Sequence, residues 1–130
     1  LLGDAVAAIK SDAEAAGIAV AVDSRIGLGQ ISGDAARLRQ ALDQLLAAAL
    51  GAFDDPRFQP DGGRRILVHG DGDATMARIV ISDNGPGAEP AGTRAVGVAL
   101  ARQLVAAHDG RFDAVSSPGE GSLVSIVLPR

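Results

Sequence analysis

The run RIVISDNGPG at residues 78–87 constrains this chain more than any other part of it. Arg78-Ile79-Val80-Ile81-Ser82 is short and rich in β-branched residues, the composition of a buried strand. The strand must stop at Asp83, because Pro86 has no amide hydrogen for a ladder and Gly85 and Gly87 admit positive φ. A carboxylate therefore stands at a strand end, beside backbone that another group can approach closely. From Val96 the spacing becomes helical, with Val96, Leu100, Leu104 and Ala107 expected along one face and Gly110 as the stop. The predicted unit is strand, glycine loop, helix.

Such a unit suits an adenine nucleotide. Asp83 can accept a hydrogen bond from an exocyclic amine, and Gly85 and Gly87 leave room for the base. A helix amino terminus expected near Gly97 offers unpaired amides to phosphate. Asn-Gly and Pro-Gly pairs also mark ordinary turns, so this motif alone leaves both readings open.

A chain of 130 residues is one domain, long enough to bury its own core. Only three residues are aromatic, so Ala, Leu, Val and Ile must build that core. The net charge of −4, with basic residues scattered rather than clustered, argues against a nucleic-acid surface. Cysteine is absent, which removes disulfides and thiolate metal sites and leaves only His69 and His108 as soft ligands; no metal site is expected. No apolar run approaches the ~18 residues of a membrane span and no signal pattern opens the chain, so a cytoplasmic domain is expected, within a parent chain that membrane anchoring would still allow.

In chain order, Leu2, Val6, Ile9 and Ala13 have helical spacing, and Gly17 ends that helix before a strand at 18–22. A shorter strand is expected at 28–31. Asp34 is a good amino-terminal cap for a second helix whose stripe is Leu38, Leu42, Leu45, Ala49 and Phe53, with Gln44 and Ala48 on an adjoining face. Residues 54–65 read as a loop, 66–68 as a strand, and 71–73 as the turn of a hairpin that returns through 76–82. Segments 112–116 and 123–127 pair around Pro118-Gly119-Glu120-Gly121. The expected fold is an α/β two-layer sandwich, a mixed sheet with three helices on one face.

This order of elements, with DARLRQALDQLLAAAL, the DNGPG turn, a helix ending in AHDG, and then SSPGEGSLVSIVLP, resembles the catalytic, ATP-binding domain of two-component sensor histidine kinases. The resemblance covers nearly the whole chain and implies the α/β sandwich shared with gyrase-like ATPases. It also implies a preceding helical dimerisation and phosphoacceptor domain in a longer parent chain, a response regulator as partner, and a homodimer through that parent.

Carried over residue by residue, the resemblance places Asp83, Gly85 and Gly87 at the base pocket and leaves Gly97 as the surviving glycine of the phosphate motif. Gln44 and Ala48 occupy the positions of the family's base and Mg²⁺ ligand. A methyl group supplies no oxygen to Mg²⁺, and Gly51 stands where a basic residue often contacts phosphate. Residues 88–95 replace a long lid; extended, eight residues reach at most ~28 Å. His108 matches a family histidine at a helix end, where a cation suits the dipole, and His69 reads as structural. Weak ATP binding is expected, with Mg²⁺ doubtful. Two readings stay open: an ATPase module with relocated metal ligands, and a non-catalytic docking domain of a histidine phosphotransferase or pseudokinase that binds response regulators.

Overall fold

The computed structural model describes residues 2–24, 35–53, 62–87 and 93–129. The elements are α1 (Leu2–Ala15), β1 (Ile18–Ser24), α2 (Ala35–Gly51), β2 (Arg64–Gly72), β3 (Met76–Asp83), α3 (Thr93–Ala107), β4 (Arg111–Ser117) and β5 (Gly121–Pro129). The expected strand at 28–31 and the cap at Asp34 lie outside the described residues, as does most of the 54–65 loop.

The five strands lie in the order β1-β2-β3-β5-β4. β1 runs parallel to β2, and the other three pairings are antiparallel. Parallel neighbours need a long crossover, and α2 occupies it. Alternation along each strand sends one set of side chains to the helices, among them Ile66, Val68, Ile79, Ile81, Ile126 and Leu128, all buried. They meet Val6, Ile9 and Ala13 of α1 and the stripe Leu38, Leu42, Leu45, Leu46 and Ala49 of α2. Among the described residues no polar or charged side chain is buried. The mixed sheet covered by three helices bears out the expected sandwich, and the hairpins β2–β3 and β4–β5 stand where the sequence put them.

The last helix differs. It starts at Thr93, so Gly97 is its fifth residue rather than part of its first free turn. Its buried residues are Gly97, Ala101 and Val105. Val96 is 70% exposed, Leu100 and Leu104 are half-buried, and Ala107 is exposed. Small residues face α2 because the two helices pack closely: a Cβ at Gly97 would come within 2.5 Å of Gln44 Oε1. The helix stops through Asp109, which takes φ 58°, while the Gly110 amide donates to the Val105 carbonyl at 3.0 Å. The β2–β3 turn also shifts: Asp71 and Gly72 belong to β2, and Asp73 Oδ1 accepts the amides of Thr75 and Met76 at 2.8 and 2.9 Å.

Candidate functional site

Asp83 is the last residue of β3 and pairs with Ser122 at the start of β5, both on the helix-covered side of the sheet. One row deeper Ile81 pairs with Val124, and Leu45, Ala48 and Ala49 of α2 close over the same place. Together these residues line a hollow of about 30 Å³, room for a water or two and too little for a purine. Asp83 Oδ1 accepts the Gly85 amide at 2.9 Å, a local turn that fixes the carboxylate's direction. A carboxylate at the rim of apolar walls can accept from a base amine while those walls exclude water.

The turn after Asp83 is held from two sides. Asn84 Oδ1 accepts the Arg65 amide at 2.7 Å, and its Nδ2 donates to the Gly63 carbonyl at 2.8 Å, which ties the turn to the start of β2. The Gly119 amide donates to the Pro86 carbonyl at 2.9 Å, joining the turn to the β4–β5 hairpin. Gly87, at φ +75°, lies so close to the Ser117 carbonyl that a Cβ would overlap it, and Gly121, at φ +116°, stands in the same relation to the Asp83 carbonyl. These close approaches are internal. Gly85 is likewise packed, a Cβ there meeting Ala52 at 3.1 Å. The close approaches at Gly87 and Gly121 let the two loops meet and so place Asp83.

The sequence-nominated residues divide accordingly. Asp83, Gly85 and Gly87 come together at the strand end. Gln44 and Gly97 form a contact between α2 and α3, away from any free helix terminus. Ala48, expected at a metal-ligand position, is buried in the wall of the hollow. Among the described residues no group of three His, Asp or Glu side chains could hold a metal ion. Ser122 was not nominated. Its place after the Gly119-Glu120-Gly121 turn, on the inward phase of β5, was the available signal.

The histidines stand apart from this hollow. His108 Nδ1 lies 2.8 Å from the Leu104 carbonyl at the end of α3. His69 sits on the uncovered sheet face between Asp23 (3.1 Å) and Asp71 (2.9 Å), and Arg78 bridges to Asp71 at 3.0 Å. The hydrogen bond from Arg78, helped by His69, holds the Asp71 carboxyl below the usual range.

Residues 33–130 match the family of histidine kinase-, DNA gyrase B- and HSP90-like ATPases. The chain belongs to that family. It is similar to the sensor protein DivL of Caulobacter vibrioides, with 32% identity over 91% of this chain and 16% of that protein's length. The chain thus spans about a sixth of that relative. Its fold is that of the catalytic domain of histidine kinase ThkA, with TM-score 0.81 at 15% identity over 98% of this chain and 90% of that one. Full-length ShkA, solved in complex with AMPPNP, superposes with TM-score 0.78 at 22% identity, covering 98% of this chain and 29% of that one. This is a histidine-kinase ATPase-type domain, as its motifs led us to expect, and its family binds ATP, usually with Mg²⁺. Among the described residues none of the helices is long and apolar enough to cross a membrane.

Proposed function

We propose that this domain is the nucleotide-binding module of a sensor histidine kinase or a derivative of one, acting in phosphorelay signalling. In this reading it holds an adenine base weakly and does not itself build the metal-phosphate end needed for turnover. Its parent carries a preceding helical domain with the phosphoacceptor histidine, forms a homodimer through it, and works with a response regulator in the cytoplasm.

One observation carries the reading: Asp83 and Ala48 line the same hollow. The carboxylate and its apolar neighbours Leu45, Ile81 and Val124 suit a base once the hollow opens. The donor set does not suit Mg²⁺, which needs oxygen ligands in near-octahedral array. Ala48 offers a methyl group, and the Gln44 amide is set against Gly97. The closed state of the hollow favours the alternative in which the domain serves as a docking surface for a response regulator, with nucleotide binding vestigial.

Calorimetric titration separates these. Adenosine, ADP and ATP are expected to bind with affinities within about tenfold of one another, unchanged by Mg²⁺. Asp83→Asn should weaken all three alike, by about 1 kcal/mol for one lost hydrogen bond. A gain for ATP that appears only with Mg²⁺ would overturn the non-catalytic reading. No binding of any of the three would favour the docking domain.

A further inference from the structure

The chain has a single asparagine, Asn84, and a glycine follows it. This is the pairing in which a side-chain amide is least stable. A residue without a Cβ leaves its own backbone nitrogen uncrowded, and that nitrogen can attack the side-chain carbonyl carbon of the residue before it. The product is a succinimide ring. The Gly85 N–Cγ bond forms as the Cγ–Nδ2 bond breaks, the Gly85 amide proton passes to solvent base, and Nδ2 leaves as ammonia. Water then opens the ring at either carbonyl, giving aspartate or isoaspartate.

In the folded chain the groups that would react are engaged in holding the turn. Asn84 Oδ1 accepts the Arg65 amide at 2.7 Å, and Nδ2 donates to the Gly63 carbonyl at 2.8 Å. The Asn84 backbone amide donates to the Arg65 carbonyl at 3.2 Å, which carries the β2–β3 pairing one residue past Asp83. The attacking nitrogen is occupied too, since the Gly85 amide donates to Asp83 Oδ1 at 2.9 Å. Loss of its proton would set an amide anion against a carboxylate, two like charges in contact. Asn84 is only half-buried, so water reaches it once these bonds open.

We propose that Asn84 is a deamidation site that the fold keeps closed, and that conversion there releases the turn carrying Asp83. Reaction proceeds from the locally opened turn, whose population these hydrogen bonds set. The products cannot rebuild the same contacts. An aspartate at position 84 has no N–H for the Gly63 carbonyl and sets a carboxylate oxygen against it. Isoaspartate also adds a methylene to the main chain. The turn is packed on Ala52 at Gly85 and on the Ser117 carbonyl at Gly87, so the longer chain has to bulge out of it. Asp83 takes its direction from the Gly85 amide, and movement of the turn moves the carboxylate. Loss of base affinity, the final consequence, rests on the nucleotide-binding reading; the modification and its effect on stability do not.

Peptide mapping by mass spectrometry follows ammonia loss at Asn84 in mildly alkaline buffer, in the folded chain and in the chain unfolded by urea. The unfolded chain should convert at least about tenfold faster, an effect that one or two hydrogen bonds suffice to produce. Asp83→Ala removes the acceptor for the Gly85 amide and should speed conversion of the folded chain about fivefold. Asp83→Asn keeps an acceptor oxygen without the charge, so its rate should fall between those of the parent and Asp83→Ala; being isosteric, it also serves if the alanine variant does not fold. Converted chain, separated by ion exchange through its added negative charge, should melt roughly 3–6 °C below unconverted chain and lose adenosine affinity. An intact Asn84 in urea, equal rates folded and unfolded, or Asp83 variants no faster than the parent would overturn the proposal. Slower conversion in both variants would overturn it by making the carboxylate a base for the reaction rather than its guard. An unchanged melting midpoint after conversion would overturn the release of the turn. If unconverted chain binds no adenosine, the nucleotide reading fails alone, while mass and midpoint still decide the site.

Discussion

The two ends of the candidate nucleotide site are built by different means. At the base end, position is set by backbone: the Asp83 turn is joined to β2 through Asn84 and to the β4–β5 hairpin through Gly87, Gly119 and Gly121. At the end where phosphates would lie, function depends on side chains, and the side chains present are Gln44, Ala48 and Gly97, engaged in helix packing and in the wall of the hollow. Backbone contacts at the base end also hold the fold, so losing a glycine there destabilises the domain as well as the pocket. Side-chain chemistry at the other end can be exchanged for packing at little cost to stability. Under the proposed function, this difference is the means by which a chain would keep the base-recognition half of an ATPase fold while its metal half is replaced.

The largest effects test whether the core and the base end share residues. Leu42 belongs to the core alone, while Ile81 belongs to the core and also lines the hollow. Replacing either with Ala should cost about 2–5 kcal/mol in chemical denaturation. Only Ile81→Ala should also weaken adenosine. Equal adenosine affinity in both variants would separate the hollow from the base site and break the comparison.

A glycine swap compares the two ends directly. Gly87→Ala places a Cβ on the Ser117 carbonyl at φ +75°, and strain of this kind costs about 1–3 kcal/mol, with loss of base affinity. Gly97→Ala meets only the far end of the Gln44 side chain, which can swing aside, and it gains helix propensity, worth up to about 1 kcal/mol. Its thermal midpoint should therefore stay close to that of the parent. A Gly97→Ala loss as large as that of Gly87→Ala would mean that the α2–α3 contact is as rigid as the glycine loops.

Legibility in the sequence followed the same division. Period and turn chemistry gave the strands, the hairpins and the Asp83 strand end, because a Pro86 or an Ile-Val-Ile run has one local meaning. The stripe of α2 was legible for the same reason, its leucines recurring at helical spacing. The face of α3 was not. In Ala95-Val96-Gly97-Val98 nearly every residue is apolar or small, so periodicity could not choose, and the choice fell to close packing against Gln44. The purpose of Gly87 and Gly121 was also hidden, since each meets a partner distant in sequence. Ala48 in the wall of the Asp83 hollow could be placed only once α2 was seen over Ile81 and Val124.

A smaller effect lies off both ends, on the uncovered face. Asp71 has its carboxyl pKa lowered by Arg78 and His69. A depressed folded pKa contributes stability that is present above the unfolded value of about 3.8 and is lost as pH falls through the folded value. Acid titration of Asp71→Asn should thus show a flatter stability profile below pH ~4 than the parent, with adenosine affinity unchanged. A change in adenosine affinity would tie this network to the site.

The smallest expected effect is no effect. Ala48→Asn returns an oxygen to the helix face, and if the site lacked only that ligand, Mg²⁺-dependent ATP binding would reappear. The geometry argues otherwise. Ala48 is 8% exposed and lines the hollow with Asp83, so an amide there is buried beside the base site rather than turned toward phosphate. α3 begins at Thr93, which leaves five residues, 88–92, rather than eight to cross from Gly87. Extended, five residues reach at most ~18 Å, too short to enclose a triphosphate. Gly97, the one glycine left of the phosphate motif, is covered by Gln44. ATP and adenosine should therefore bind Ala48→Asn with the same ratio as the parent, with or without Mg²⁺. A tenfold gain for ATP over adenosine, about 1.4 kcal/mol, seen only with Mg²⁺, would show that the two ends differ by a single ligand and that the phosphate half is damaged rather than rebuilt.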